Sequence, residues 1–206
     1  MKEKDLEENE IYDEEENTDF TDLEGILSDE ELKELDRLSR KFDSLGDEID
    51  DLDTKIYDSI TDLYTTLKLE EMPEAEITSK INEIINMLKQ MDKMELEFVE
   101  TLMKMMQIFL DAEMRMVEDI ISFKYIDKNK IKELRDDIEN QKKEADKLGE
   151  LLVRLNDSTK ELIDVMKKVE QNVSQRLELL KQAIKIITKR GEMYYEIEKI
   201  STEMLI

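Results

Sequence analysis

The chain has 206 residues, 42% of them charged, and a net charge of −24. Four glycines, one proline and 5% aromatics are too few for the turns and packed faces of a sheet protein, so an all-α fold of long helices is expected. With neither cysteine nor histidine the chain has no disulfide framework, no thiolate nucleophile or thiolate metal site, no Ser-His-Asp or Cys-His scheme and no Glu-x-x-His di-iron pair.

Residues 1–30 hold fourteen acids against two lysines, and 1–27 are poor in apolar side chains. That is the composition of a disordered acidic tail. Within it Phe20, Leu23, Ile26 and Leu27 fall at helical spacing. They read either as a first turn that docks on the body of the protein or as a short partner-docking motif. The stretch MKEKDLEENEIYDEEEN has no apolar run of the kind a secretory signal needs, and no window is apolar for long enough to span a membrane. A cytoplasmic location is the expectation.

The helical coiled-coil domain is expected over 28–206. Helix A, 28–72, starts with Ser28 as N-cap and three acids in its first turn. Its seam runs Leu35, Leu38, Phe42, Leu45, Ile49, Leu52 and Ile56 in unbroken 3-4 alternation. Ile60, Leu63 and Leu67 follow after a four-residue stutter, and Gly46 lies outside the seam as a soft spot. Pro73 ends the helix.

Helix B, 74–124, has one seam through Ile77, Ile81, Ile84, Leu88, Met91, Phe98, Leu102, Met105 and Phe109. A second stripe interleaves: Ile85, Met94, Val99, Met103, Met106, Leu110, Met114, Val117 and Ile121. A helix apolar on two faces is expected to be covered on two sides. Eight of the thirteen methionines lie between Met87 and Met116. The stretch LMKMMQIFL, 102–110, therefore reads as core in which methionine fills irregular gaps, ahead of a methionine-rich recognition groove or a membrane contact. Glu95 falls on the seam, with Asp111, Glu118 and Asp119 further along; these carboxylates read as solvated or paired with cations of the next helix, and no metal site is expected.

After a turn at 123–130, helix C is expected to run continuously over 128–204. Its a positions include Ile131, Ile138, Ala145, Leu152, Met166, Val173, Leu180 and Ile187. Its d positions include Leu134, Leu148, Leu155, Leu162, Val169 and Ala183, interrupted by Gln141, Arg176 and Arg190. The phase survives Asn156–Ser158, where a kink could sit; a true break there would close the chain as a compact four-helix bundle instead. Folded back along helix B, helix C reaches the Pro73 turn near residue 178 and then overhangs it by about 28 residues, roughly 40 Å. The overhang carries Leu180, Ile184, Ile187, Tyr194 and Ile197, an apolar stripe that asks for a second chain, so a homodimer through these residues is expected. Lys181, Lys185, Lys189 and Arg190 form a basic strip, as candidate contacts with an anionic surface.

The expected architecture is an elongated antiparallel three-helix coiled coil with an acidic tail. No P-loop or GxGxxG pattern occurs, and an acidic chain repels phosphate backbones; enzyme activity, cofactors and nucleic-acid partners are not expected. Three long helices that dimerise resemble the architecture of BAR-type membrane-curving domains, which would imply a membrane-binding or membrane-shaping role. An acidic, cysteine-free helical rod with a tail also looks like a viral capsid-assembly scaffolding protein. The leading reading is a non-enzymatic, self-associating scaffold or adaptor that presents its acidic tail to a protein partner.

Overall fold

The computed structural model describes residues 27–69, 72–122 and 128–205. Among them four helices and no strand sheet are formed, so the chain is all-α: α1 (Asp29–Leu69), α2 (Glu74–Ser122), α3 (Lys128–Gln171) and α4 (Arg176–Leu205). Phe20, Leu23 and Ile26 lie outside the described residues. Leu27 is inside them and buried against Leu35, Leu38, Met105 and Ala112.

Helix α1 begins with a capping box. The Glu31 amide donates to the Ser28 hydroxyl at 3.3 Å, and the Ser28 amide donates back to the Glu31 carboxylate at 2.8 Å. Arg115 of α2 donates to the same carboxylate, which ties the first turn of α1 to the far half of α2. The seam from Leu35 to Leu63 is buried at every position except Phe42, which is partly buried, as is Leu67 beyond it. Gly46 leaves α1 unbroken. At the other end Pro73 accepts the amides of Glu76 and Ile77 and starts α2. The ion pairs Lys41–Glu97 and Lys80–Asp62, both 2.7 Å, set α1 and α2 antiparallel.

The expected 77-residue third rod is two helices. Helix α3 passes through Asn156–Ser158 without a break, and the chain turns only at Asn172 (φ −116°, ψ 80°) and the 3-10 turn Val173–Gln175. Helix α4 then runs back along α3 and α1. The physical reason is cover. Arg176 bonds Glu74, so α3 ends level with the start of α2. A helix continued past that point would hold the apolar stripe of 179–200 in water, and folding it into the space between α1 and α3 removes that cost within one molecule.

This corrects the expected overhang. Leu180, Ile187 and Ile197 are 0–2% exposed inside the chain's own core, and Ile184 and Tyr194 pack against it. The stripe that called for a second chain is covered by the first, and the three-rod architecture behind the resemblance to BAR domains is not the one formed. The core runs through all four helices, from Leu45–Leu63 of α1 and Ile77–Leu102 of α2 to Leu148–Val169 of α3 and Leu180–Ile200 of α4. No described helix is long and apolar enough to cross a membrane.

Candidate functional site

Two features stand out against this frame: a charged hub at the centre of the bundle, and an uncovered apolar surface at one end. The hub is Arg190, fully buried on α4. Its Nε donates to Asp53 of α1 at 2.9 Å, and its Nη2 to Glu95 of α2 at 2.6 Å. Its Nη1 donates to the Leu155 carbonyl, the Ser158 hydroxyl and the Thr159 hydroxyl of α3, at 3.0, 2.9 and 2.5 Å. Thr159 in turn donates to Glu95, and the Tyr194 ring lies 5.9 Å from the guanidinium carbon. One side chain thus bonds to all three neighbouring helices.

One guanidinium faces two carboxyl groups, so the hub holds more acidic groups than basic ones. Burial pushes Asp53 above its usual value, ahead of the opposing pull of Arg190. Burial works against the charge on Arg190, but Glu95 and Asp53 outweigh it and raise its pKa. Tyr194 is pushed up by burial and by Glu95. Arg190, Glu95 and Asp53 are all buried within the bundle. The hub positions helices.

Arg190 was expected on the basic surface strip, and the structure removes it from there. The same heptad reasoning contained the clue, since a cation at a d position either breaks a core or is paired within it. Arg176, the other cation at d, is also buried; it bonds the carbonyls of Val169 and Glu170 and the Glu74 carboxylate, closing the corner between α3 and α4. Lys181, Lys185 and Lys189 are exposed, with Lys181 paired to Glu178 at 3.2 Å.

The surface is at the opposite end. Arg190 sits level with Met91 and Glu95, so α4, ending at Leu205, stops near residue 108 of α2. Helix α2 continues for about 20 Å beyond it. Around the end of α4 a groove of about 70 Å³ opens between α2 and α3, lined by Leu102, Met106, Phe109, Leu110, Ala145 and Leu148 with Ser201 of α4 at its edge. Beside it the outer face of α2 carries Leu96, Met103, Leu110 and Met114, at spacings of seven, seven and four, which are 41–64% exposed.

The stretch 102–110 is therefore split. Leu102 and Met105 are core, as expected, whereas Met103 and Leu110 face out. The second stripe of α2 is buried at Ile85 and Met94, partly buried at Met106 and Val117, and exposed at Met103, Leu110 and Met114. Glu95 is in the hub, Asp111 accepts from Gln107 at 2.8 Å, and the side chains of Glu118 and Asp119 lie outside the description. Among the described residues no three metal-ligating side chains come together. The groove wall itself carries one acid and one base, Glu113 and Lys142, within a chain whose net charge is −24.

No protein-family model matches the chain, and neither a curated protein nor a solved structure is similar to it.

Proposed function

We propose that the protein is a non-enzymatic scaffold or adaptor whose open end captures an amphipathic helix of basic character from a protein partner. The observation that carries this reading is the methionine-rich face of α2, Leu96, Met103, Leu110 and Met114, left uncovered beside the groove of Leu102, Met106 and Phe109. Apolar side chains at helical spacing on a rigid bundle match a helix laid in a groove, and unbranched methionines adapt to its side chains. The net charge of −24, and the acidic composition of residues 1–27, of which Leu27 packs at this end of the bundle, favour a cationic partner and speed its encounter at low salt.

The reading is tested by fluorescence anisotropy with two model amphipathic helices that share one apolar face, one with lysine and one with glutamate on the polar face. The lysine peptide binds, more weakly as salt rises, and the glutamate peptide does not. Met103→Glu/Met114→Glu abolishes binding and leaves the helical circular dichroism and melting temperature unchanged, since both side chains are 64% exposed. Equal binding of the two peptides, or unaltered binding by the double variant, would overturn the proposal.

A further inference from the structure

The corner between α3 and α4 is built from residues that could equally continue a helix. Asn172 departs from helical dihedral angles there (φ −116°, ψ 80°) and is followed directly by the 3-10 turn Val173–Gln175. The following 3-10 turn differs from an α-turn by small rotations, and Arg176 is already helical (φ −50°, ψ −50°). No glycine or proline occurs from Asn172 to Glu178. The heptad also runs through the corner without a phase change, with Val169, Arg176 and Ala183 at d and Val173 and Leu180 at a.

The bonds that hold the corner closed are few. Arg176 donates to the Val169 carbonyl at 2.9 Å, to the Glu170 carbonyl at 3.2 Å and to Glu74; the Asn172 side-chain amide donates to the Lys168 carbonyl at 3.0 Å, and the Asn172 and Gln175 backbone amides donate to the Lys168 and Asn172 carbonyls. Around them three apolar side chains are left in water at this closed end of the bundle: Leu69 at 73%, Val173 at 67% and Leu177 at 38% exposure.

We propose that the corner is an exchange hinge: α3 and α4 straighten into one helix, and α4 of each molecule takes the seat of α4 in a second copy of the chain. The straightened helix would span about 115 Å. Every contact of α4 with α1, α2 and α3 re-forms between copies, which is why exchange of an identical element costs little beyond the hinge itself. The Arg190 hub fixes the register, because its guanidinium finds two carboxylates and two hydroxyls at one level of the acceptor bundle only. Two bundles joined through their hinges meet by their closed ends, which gives the apolar rim of Leu69, Val173 and Leu177 a partner. Leu180, Ile184, Ile187, Tyr194 and Ile197 then become contacts between copies, and the continuous helix expected over 128–204 is the exchanged form. This inference does not depend on the partner helix proposed above.

The test uses the ion pair Lys147–Glu196, which joins α3 to α4 at 3.0 Å. Unlabelled and 15N-labelled full-length chains are mixed in denaturant, refolded together at high protein concentration and high salt, and coupled with a carbodiimide. Exchange gives Lys147–Glu196 crosslinks that join a light peptide to a heavy one, and a second species of twice the monomer mass. The Lys41–Glu97 pair, 2.7 Å apart between α1 and α2, stays unmixed and serves as the internal control. Val173→Pro places proline at the first position of the 3-10 turn, where it is tolerated, and bars the straight helix; it reduces mixed crosslinks to background without loss of fold. Asn172→Ala/Arg176→Ala raises them several-fold. Absence of mixed Lys147–Glu196 crosslinks in both the native chain and Asn172→Ala/Arg176→Ala overturns the proposal. So do mixed crosslinks undiminished by Val173→Pro, which would mean association by another surface.

Discussion

Replacing Arg190 by methionine isolates the charged hub, because methionine keeps much of the side-chain length and removes only the cation. In the native chain the guanidinium is 0% exposed, and Glu95 beside it is 2% exposed. Arg190→Met leaves Asp53 and Glu95 facing each other in the core without a counter-charge, and also deprives Thr159, Ser158 and the Leu155 carbonyl of a donor. Breaking a buried ion pair from one side costs about 3–5 kcal/mol. For a chain of this size that is a fall in melting temperature of roughly 6–20 °C.

The decisive comparison is the triple variant Arg190→Met/Asp53→Ala/Glu95→Leu. Removing all three charges leaves no unpaired ion, and apolar replacement of such a cluster is often neutral or stabilising by about 1–4 kcal/mol. Urea unfolding followed by circular dichroism at neutral pH should therefore rank the native chain and the triple variant together, well above Arg190→Met. A single variant within about 1 kcal/mol of the native chain would refute the hub as a buried ion cluster, since even exposed ion pairs reach that size. A triple variant as unstable as the single would show that volume, not charge, sets the cost.

Gly46 lies inside α1, and a methyl group there would sit 3.8 Å from the Phe98 ring, an ordinary contact. Gly46→Ala should stabilise the chain by about 0.5–1 kcal/mol, read as a higher urea midpoint at unchanged slope; destabilisation would mean that the Phe42–Phe98 stack, 4.2 Å between centroids, cannot yield. Asp53 supplies the pH dependence. Its folded pKa is raised, so the native state holds its proton to higher pH than the unfolded chain does, and its contribution to stability falls as pH rises from the usual aspartate value through the folded one. Glu31, Glu34 and Glu74 are lowered, by hydrogen bonds from Ser28, Arg37 and Arg176 respectively, and contribute in the opposite sense. Asp53→Asn, with unfolding measured across the acidic range, should thus gain on the native chain as pH rises; a constant difference between the two would contradict the raised value.

The sequence itself determined the class of fold and the buried face of each helix. The 3-4 spacing of Leu35 to Leu63 and of Ile77 to Met105 fixes which side chains turn inward, because helical phase is a local property that holds whatever covers the face. It also excluded thiol and imidazole chemistry, by plain absence of the residues. Tertiary structure decided where the third rod turns back. The heptad passes through Asn172 unbroken, so no residue there announces a corner; the turn exists because the apolar stripe of α4 finds cover against α1 and α3. The same packing converted two apparent defects in the seam, Arg176 and Arg190, into a corner clamp and a hub, each with carboxylates distant in the chain. It also left Met103 and Met114 in water, which no local pattern could show: they share the apolar periodicity of buried Met94, and only the neighbouring helices decide which of these positions is covered.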